Sequence, residues 1–557
     1  MKSELVDIIK PKLFVFLQKN PYKIDHLIKD ILSGLSVAIV ALPLAMAIAI
    51  ASNLPPERGI FTAIVAGFLI SSLGGSRYQI GGPTAAFIVT VSIVSAKHGY
   101  EGLVIASLMA GFILIGSSLL RAGELIKFIP FPVVTGFTSG IAFLIMISQL
   151  KDFFGLDIKN LPPDFVEKLT LYWQNIETTN IFAVLIAVSS IGMMIYLKKR
   201  FPKIPSPIVI VTLSSLAVFI FQIPVETIES KFGAIPSMLP SPSLPNITFE
   251  KIRLLLPDAI TIAVLAGIES LLSAVVADGM AGTKHKPNTE LFAQGIANIA
   301  SSTFGGLPAT GAIARTATNI KAGAISPISG IMHSIWLLLF IIVLAQFIAK
   351  VPLATLSAIL IVVAYNMSEI HHIKSIFNAP RSDVFVLFVT FSLTVFVDLN
   401  FAIQTGISLA ALLFINSMMQ SIKIQSINDE EETDDPDSIT KKIVPSFVEV
   451  YEIKGPLFFG ITEKFIDTLT NIEQTPKVFV LRLRFVSMID AAGLHALEVV
   501  NEELNKNGTT LVLSGVNKNV YEYICKSKLN DKIGSQNILD HIDKALLRAN
   551  EIVNTQN

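Results

Sequence analysis

The 557-residue chain has one cysteine, Cys525, and only 15% of its residues are charged. A single thiol excludes an intramolecular disulfide and any multi-cysteine metal site. The shortage of charge excludes more. Soluble globular proteins carry about a quarter Asp, Glu, Lys and Arg. Here 52% of the residues are hydrophobic and the mean hydropathy is +0.63, the balance of an integral membrane protein. Lys plus Arg and Asp plus Glu each number 43, so net charge is zero and the basic excess that a nucleic-acid partner requires is missing. Nor is there a Walker-type phosphate loop, a metal-ligand spacing or a nucleophile set beside a histidine. The chain reads as neither an ATPase nor an enzyme, and no cofactor or metal is expected. A secretory signal is lacking too, because Lys10, Lys12, Lys19, Lys23 and Lys29 interrupt the N-terminal apolar residues. Leu5, Ile8, Ile9, Leu13, Phe14, Phe16 and Leu17 instead suit an amphipathic helix lying on a membrane surface.

Long apolar runs are what the chain has in abundance. Stretches able to cross a hydrocarbon core of roughly 30 Å occur near 31–52, 58–75, 101–119, 131–150, 180–198, 207–222, 256–277, 288–304, 327–348, 352–369, 382–397 and 402–420. Two shorter ones, 84–96 and 309–320, follow Gly/Pro clusters; counted as half-helices, they bring the total to about fourteen crossings. Cations gather in one alternate set of loops, at Arg77, Arg121, Lys127, Lys198 to Arg200, Lys284, Lys286, Lys374 and Arg381. With the N-terminal lysines they place both termini in the cytoplasm. The other loops hold the longer polar segments 151–179 and 223–255. An acidic run over 428–436 marks a change to ordinary charge content. The expected division is a cytoplasmic segment 1–30, a transmembrane domain 31–421, a linker 422–439 and a cytoplasmic domain 440–557.

The two Gly/Pro clusters are the most informative feature. Gly81-Gly82-Pro83-Thr84-Ala85-Ala86 and Gly305-Gly306-Leu307-Pro308-Ala309-Thr310-Gly311-Ala312 each precede roughly the third apolar element of their half of the membrane region. Interrupted segments at corresponding places in two halves mark the binding site of a transporter built from inverted repeats. A helix that begins inside the membrane leaves its first N–H groups unpaired, with about half a positive charge at that end. Two such ends facing each other suit an anion.

Ionisable residues inside spans are site candidates. Arg315, one turn into the second half-helix, adds a permanent positive charge; its structural reading is an ion pair, with Glu269 the obvious partner. Glu269 lies mid-span with Ser273 at i+4 on the same face, and its carboxyl can carry a proton. His333 reads as a hydrogen-bonded core residue rather than a relay, His371-His372 as interfacial polarity, and Pro55 to Gly59 as an external turn.

These residues also resemble a known family. Glu269 to Gly330, with Ser273-Ala-Val-Val-Ala-Asp-Gly-Met-Ala-Gly-Thr-Lys-His285 and Phe304-Gly-Gly-Leu-Pro-Ala-Thr-Gly-Ala-Ile-Ala-Arg-Thr-Ala-Thr-Asn319, is similar to the SulP (sulfate permease) anion transporters. So are Leu42-Pro43-Leu44-Ala45-Met46-Ala47 and Gly74 to Thr84. The resemblance implies an α-helical polytopic fold of seven plus seven inverted segments, with core and gate domains, alternating access and a homodimer. It puts the substrate at Thr84, Ala85, Gly311 and Ala312, with Ala45 and Arg315 beside it and Glu269 and Ser273 as coupling residues. Substrates across the family include sulfate, bicarbonate, chloride, oxalate and C4-dicarboxylates such as fumarate. The resemblance implies that sodium-coupled bicarbonate relatives hold the cation at positions that match Glu269, Ser273 and Ile313. Isoleucine offers no side-chain oxygen, and sodium wants hard oxygen ligands, so proton coupling to a dicarboxylate or sulfate is favoured. Leu44 replaces a Gln of many sulfate-type relatives. An uncoupled exchanger or channel, and a nucleobase transporter, are the competing classes; a neutral base has no need of Arg315. Beyond 440, Phe447–Ile453, Val478–Leu483, Ala492–Leu504 and Thr510–Ser514 alternate strand and helix patterns. Val486-Ser-Met-Ile-Asp490-Ala-Ala-Gly-Leu494 resembles the STAS domain signature, with alanine where related antagonists carry a phosphorylatable serine.

Overall fold

The computed structural model describes residues 10–19, 22–124, 130–158, 161–162, 165–201, 206–368, 370–397, 399–426, 437–470 and 476–555. Leu5, Ile8, Ile9, Lys127 and the acidic run 428–436 lie outside them. Contacts divide the chain into two compact units, Met1–Ser408 and Leu409–Asn557.

The first unit is helical. Its long elements are α1 (Ile24–Ala51), α2 (Pro56–Leu73), α3 (Phe87–Leu119), α4 (Phe131–Ser148), α5 (Ile181–Arg200), α6 (Ser206–Phe221), α7 (Phe249–Ala281), α8 (Pro287–Thr303), α9 (Ile313–Lys321), α10 (Ile328–Ala349), α11 (Leu353–Met367), α12 (Arg381–Phe396) and α13 (Leu399–Ser421), which ends in the second unit. Among the described residues nine helices are long and apolar enough to cross a membrane, and α6 is a shorter apolar one. α3 is two helices joined at Gly99, whose φ of 69° and ψ of 178° are not helical. Counted so, each half of the membrane region supplies seven helical segments, the pattern the sequence predicts. The two half-helices begin at Phe87 and Ile313, later than the expected 84 and 309. Residues 84–86, ending in a turn at 85–86, and the extended Thr310–Gly311 take up the intervening chain.

Packing sorts the helices into two groups. α1, α2, α3, α7, α8, α9 and α10 pack on one another; α4, α5, α6, α11 and α12 form the second group, and α1 also touches α6 and α11. Each group draws on both halves of the chain. Close approach inside the first group needs small residues: a Cβ on Gly111 of α3 would stand 2.7 Å from the Gly295 carbonyl oxygen of α8, and one on Gly295 2.6 Å from that of Gly111. The N-terminal helix Lys12–Lys19 docks on this group through Lys12 Nζ, which donates to the Lys284 carbonyl at 2.7 Å, and through buried Phe16, which carries the Arg77 guanidinium 4.5 Å above its ring.

The second unit is built on a five-stranded sheet of β3 (Lys423–Ser426), β4 (Val448–Lys454), β5 (Val478–Phe485), β6 (Thr510–Ser514) and β7 (Ile538–Leu539), here numbered after the two membrane strands β1 (Gly81–Gly82) and β2 (Thr310–Gly311). Strand order follows the chain; β3–β4 is antiparallel and the rest parallel. Alternate side chains sort to two covered faces, as a parallel sheet requires. Val478, Val480 and Val512 meet α17 (Ile542–Thr555), which turns Ile542, Ala545, Leu546 and Ala549 inwards. Phe479, Leu481 and Leu513 meet α15 (Ala491–Lys506) and α16 (Lys518–Lys526), while α14 (Thr462–Thr470) lies against α15. Asp490 caps α15, its Oδ1 accepting from Gly493 N at 2.8 Å and its Oδ2 from Phe459 N at 3.1 Å.

A Cβ on Gly99 or on Gly116 of α3 would meet nothing within 4 Å, so only conformation distinguishes them. Gly99→Ala is expected to lose about 1–3 kcal/mol in a backbone region nearly restricted to glycine. Gly116→Ala, in regular helix, should gain up to about 1 kcal/mol. Unfolding midpoints in detergent compare the two, and equal midpoints would contradict the assigned kink.

Candidate functional site

Two non-helical segments, 74–86 and 304–312, interrupt the first helix group and pair with each other. β1 and β2 are antiparallel, with Gly81 opposite Gly311 and Gly82 opposite Thr310. Ala312 N extends the ladder by donating to the Ile80 carbonyl at 2.9 Å. In a hydrocarbon layer irregular backbone survives only where protein groups satisfy it, and here they do. Asn298 brackets Ala309, donating from Nδ2 to its carbonyl at 2.8 Å and accepting from its N–H at 2.9 Å. Arg58 Nη1 and Tyr100 OH donate to the Gly305 and Gly306 carbonyls, both at 2.9 Å. Asn319 Nδ2 donates to the Tyr78 carbonyl at 2.9 Å.

Two buried carboxylates complete this scaffold, and sequence reasoning missed both. Glu290, at the start of α8, accepts from Gly75 N at 2.8 Å, Ser76 N at 3.0 Å, Gln79 Nε2 at 3.0 Å and Gln294 Nε2 at 3.0 Å. Asp30 of α1 accepts from Ile325 N at 2.7 Å, Ser326 N at 3.1 Å and Tyr22 OH at 2.7 Å. Each ties a helix of one half to a loop of the other. Glu290 lies in the first turn of α8, where an acid ordinarily reads as a helix-start residue, and Asp30 lies in the second turn of α1, at the edge of its apolar run.

The expected site residues gather around β1 and β2, with exceptions. Thr84 Oγ1 donates to Glu269 Oε2 at 2.6 Å. Ser273, one turn along α7, donates to Thr316 Oγ1 of α9 at 3.2 Å, and that oxygen also accepts from Ile80 N at 3.1 Å. The i, i+4 pair therefore contacts both half-helix segments, Glu269 through Thr84 and Ser273 through Thr316. Ala85 and Ala312 are buried beside the helix starts. Ile313, Ala314 and Arg315 are the first residues of α9, where N–H groups lack intrahelical carbonyls. Ala45 is buried in α1, and its backbone carbonyl lies against Gly59 of α2. Glu269 lines a cleft of about 20 Å³ with Ala86, Val133, Phe137, Leu265 and Ile403, between the two helix groups. That is room for about one water.

Arg315 overturns one expectation. It forms no ion pair with Glu269; its guanidinium is 1% exposed and no nitrogen of it has a hydrogen-bond partner. It is packed against Gly82, near Ala63 of α2, while Glu269 is engaged by Thr84. His333 of α10 is a second correction: fully buried, with neither ring nitrogen hydrogen-bonded, it is not the satisfied core histidine expected, because its surroundings bring no acceptor within reach. His372 stacks edge-on to Phe131 at 5.4 Å, and Arg58 gives the external turn a structural role.

A Cβ on Gly311 would fall on the Gln79 amide, which cannot swing away because its Nε2 is held by Ser270 Oγ at 2.7 Å and by Glu290. Gly311→Ala should cost about 1–3 kcal/mol through overpacking, with Gln79→Ala recovering part of it. A double-mutant cycle on unfolding midpoints is expected to show a coupling of about 0.5–3 kcal/mol; additive effects would contradict the contact.

Comparison with known proteins agrees with this architecture. Residues 27–390 match the model of the sulfate permease family, and 438–545 match that of the STAS domain. The Bacillus subtilis (strain 168) protein named "Putative sulfate transporter YvdB" is 40% identical over 525 residues, covering 94% of this chain and 98% of its own. The bicarbonate transporter BicA of Picosynechococcus sp. is 29% identical, covering 78% and 79%. The transmembrane domain structure of a cyanobacterial BicA superposes with a TM-score of 0.63 at 28% identity, over 68% of this chain and 98% of that one. The murine Slc26a9 anion transporter superposes with a TM-score of 0.87 at 19% identity, over 99% and 95%, which speaks to the fold alone. With its family model matched over most of its length and a relative of like sequence along nearly all of it, the chain belongs to the sulfate permease (SulP) family of anion transporters and carries a C-terminal STAS domain.

Proposed function

We propose that the protein is a proton-coupled secondary transporter of small anions, sulfate or a C4-dicarboxylate such as fumarate, working by alternating access as a homodimer in the cytoplasmic membrane. Both termini and the STAS domain face the cytoplasm, and the transport domain spans 31–421; within the expected linker 422–439, β3 (Lys423–Ser426) already belongs to the sheet that 440–557 completes. One observation carries the reading. Glu269 is bonded to Thr84 just before α3, faces a mostly apolar cleft between the helix groups, and has no cationic partner among the described residues. A carboxyl so placed can take a proton from one side of the membrane and release it on the other. The anion would lie across the starts of α3 and α9, at Thr84, Ala85, Gly311 and Ala312, drawn by two helix ends and Arg315. The cleft is too small for it as it stands, so relative movement of the two groups is part of the mechanism.

The BicA relatives favour a second reading, sodium-coupled bicarbonate transport. One feature weighs against it: Ile313 offers no ligand oxygen. The STAS domain would serve trafficking, dimer support or contact with the transport domain, and the alanines at 491 and 492 leave no hydroxyl for a phosphorylation switch there.

Uptake of radiolabelled sulfate, fumarate and bicarbonate into proteoliposomes under imposed proton or sodium gradients tests the proposal. Proton-driven accumulation of sulfate or fumarate is expected, lost in Glu269→Gln while downhill exchange persists. Arg315→Ala should raise the half-saturating concentration about tenfold or more, as for an interaction of about 1.5–3 kcal/mol. Sodium-driven bicarbonate uptake that survives Glu269→Gln would contradict it.

A further inference from the structure

We propose that a crevice between α1, α6 and the end of α10 is a binding site for the acyl chain of a bilayer lipid, wedged where the two helix groups meet. The cavity measures about 490 Å³. Leu42 and Met46 form its α1 wall, Val211 and Leu216 its α6 wall, and Phe347 and Ile348 its α10 wall.

The occupant follows from the walls and the medium. Water inside protein needs two to four polar partners, and these walls are almost wholly hydrocarbon. The polar side chains in the lining are few: Thr212, Ser215, Gln346 and Lys350. Left empty, the lining atoms would forfeit their dispersion contacts on one side. The crevice is continuous with faces that the bilayer core must cover: Leu216 is 51% exposed and Phe347 73% exposed, on helices apolar enough to lie in hydrocarbon. The fluid at its mouth is therefore lipid tails. The one charged residue in its lining, Lys350, already has a partner in Glu229 Oε2 at 2.5 Å, so no headgroup is selected. The site recognises chain, not phosphate.

Its place gives the occupant a consequence. α10 belongs to one helix group, α6 to the other, and α1 touches both. A tail lying against all three bridges the groups, and its fit changes if they shift; this consequence, unlike the binding itself, rests on the alternating-access reading.

The test uses the full-length protein in liposomes containing a phosphatidylglycerol with a diazirine midway along one acyl chain. After irradiation, peptide mapping should place adducts preferentially on the α1, α6 and α10 walls. Val211→Trp and Thr212→Trp fill the crevice from α6 and should cut those adducts about tenfold, whereas Leu185→Trp, on an exposed face of α5, should not. Unfolding midpoints and size-exclusion profiles identify any variant that misfolds, and two filling variants keep the comparison open if one fails. The same probe on phosphatidylethanolamine should give the same map. Adducts spread evenly over lipid-facing helices, adducts that persist in both filling variants, or a map that depends on the headgroup would each overturn the proposal. No anion is present in any arm, so the result is independent of the substrate and coupling proposed above.

Discussion

A peptide group inside a bilayer must be hydrogen-bonded to protein, because the hydrocarbon offers it nothing. This constraint governs the transport unit. Helices meet it by themselves; the segments 74–86 and 304–312 cannot. They meet it through each other, in the short ladder of β1 and β2, and through side chains committed to backbone. Asn298 acts towards Ala309 as a strand neighbour would, and Glu290 gathers the N–H groups of Gly75 and Ser76. Because the ladder joins the two halves of the chain, breaking either segment would cost both.

The same accounting separates supporting groups from reserved ones. Glu290 and Asp30 are surrounded by donors and serve as anchors. Glu269 has a single hydroxyl contact, and Arg315 has none. Leaving a buried guanidinium without a hydrogen bond is expensive, so its retention beside the start of α9 argues for a ligand that completes it during the working cycle. The i, i+4 placement of Glu269 and Ser273 brings α7 to both half-helices at once. The stable first helix group and the narrow apolar cleft beside the second are two aspects of one arrangement.

Much of this was legible in sequence. Apolar length marked the helical segments, and Gly/Pro clusters marked where two of them start late. Gly99 separates 84–96 from 101–119 as the pattern indicates, and the apolar run of Val478 to Leu483 reads as a strand buried on both faces. What was not legible depends on where a side chain turns. Spacing could not show that Arg315 packs towards Gly82 instead of reaching Glu269. Glu290 and Gln79 escaped notice because their role is to satisfy backbone from a distant part of the chain, which no local pattern records. His333 was assigned partners on general grounds that its neighbours do not supply.

The central claim is that the anion lies across the starts of α3 and α9. Selenate and bromofumarate stand in for sulfate and fumarate and scatter anomalously, so crystals grown with each would locate the anion directly. The account predicts a peak beside Thr84 that places the anion's oxygens about 3 Å from the N–H nitrogens of Ile313 to Arg315, and weaker occupancy in crystals of Arg315→Ala grown at the same concentration. A peak away from both helix starts, or one unchanged by that substitution, would contradict it.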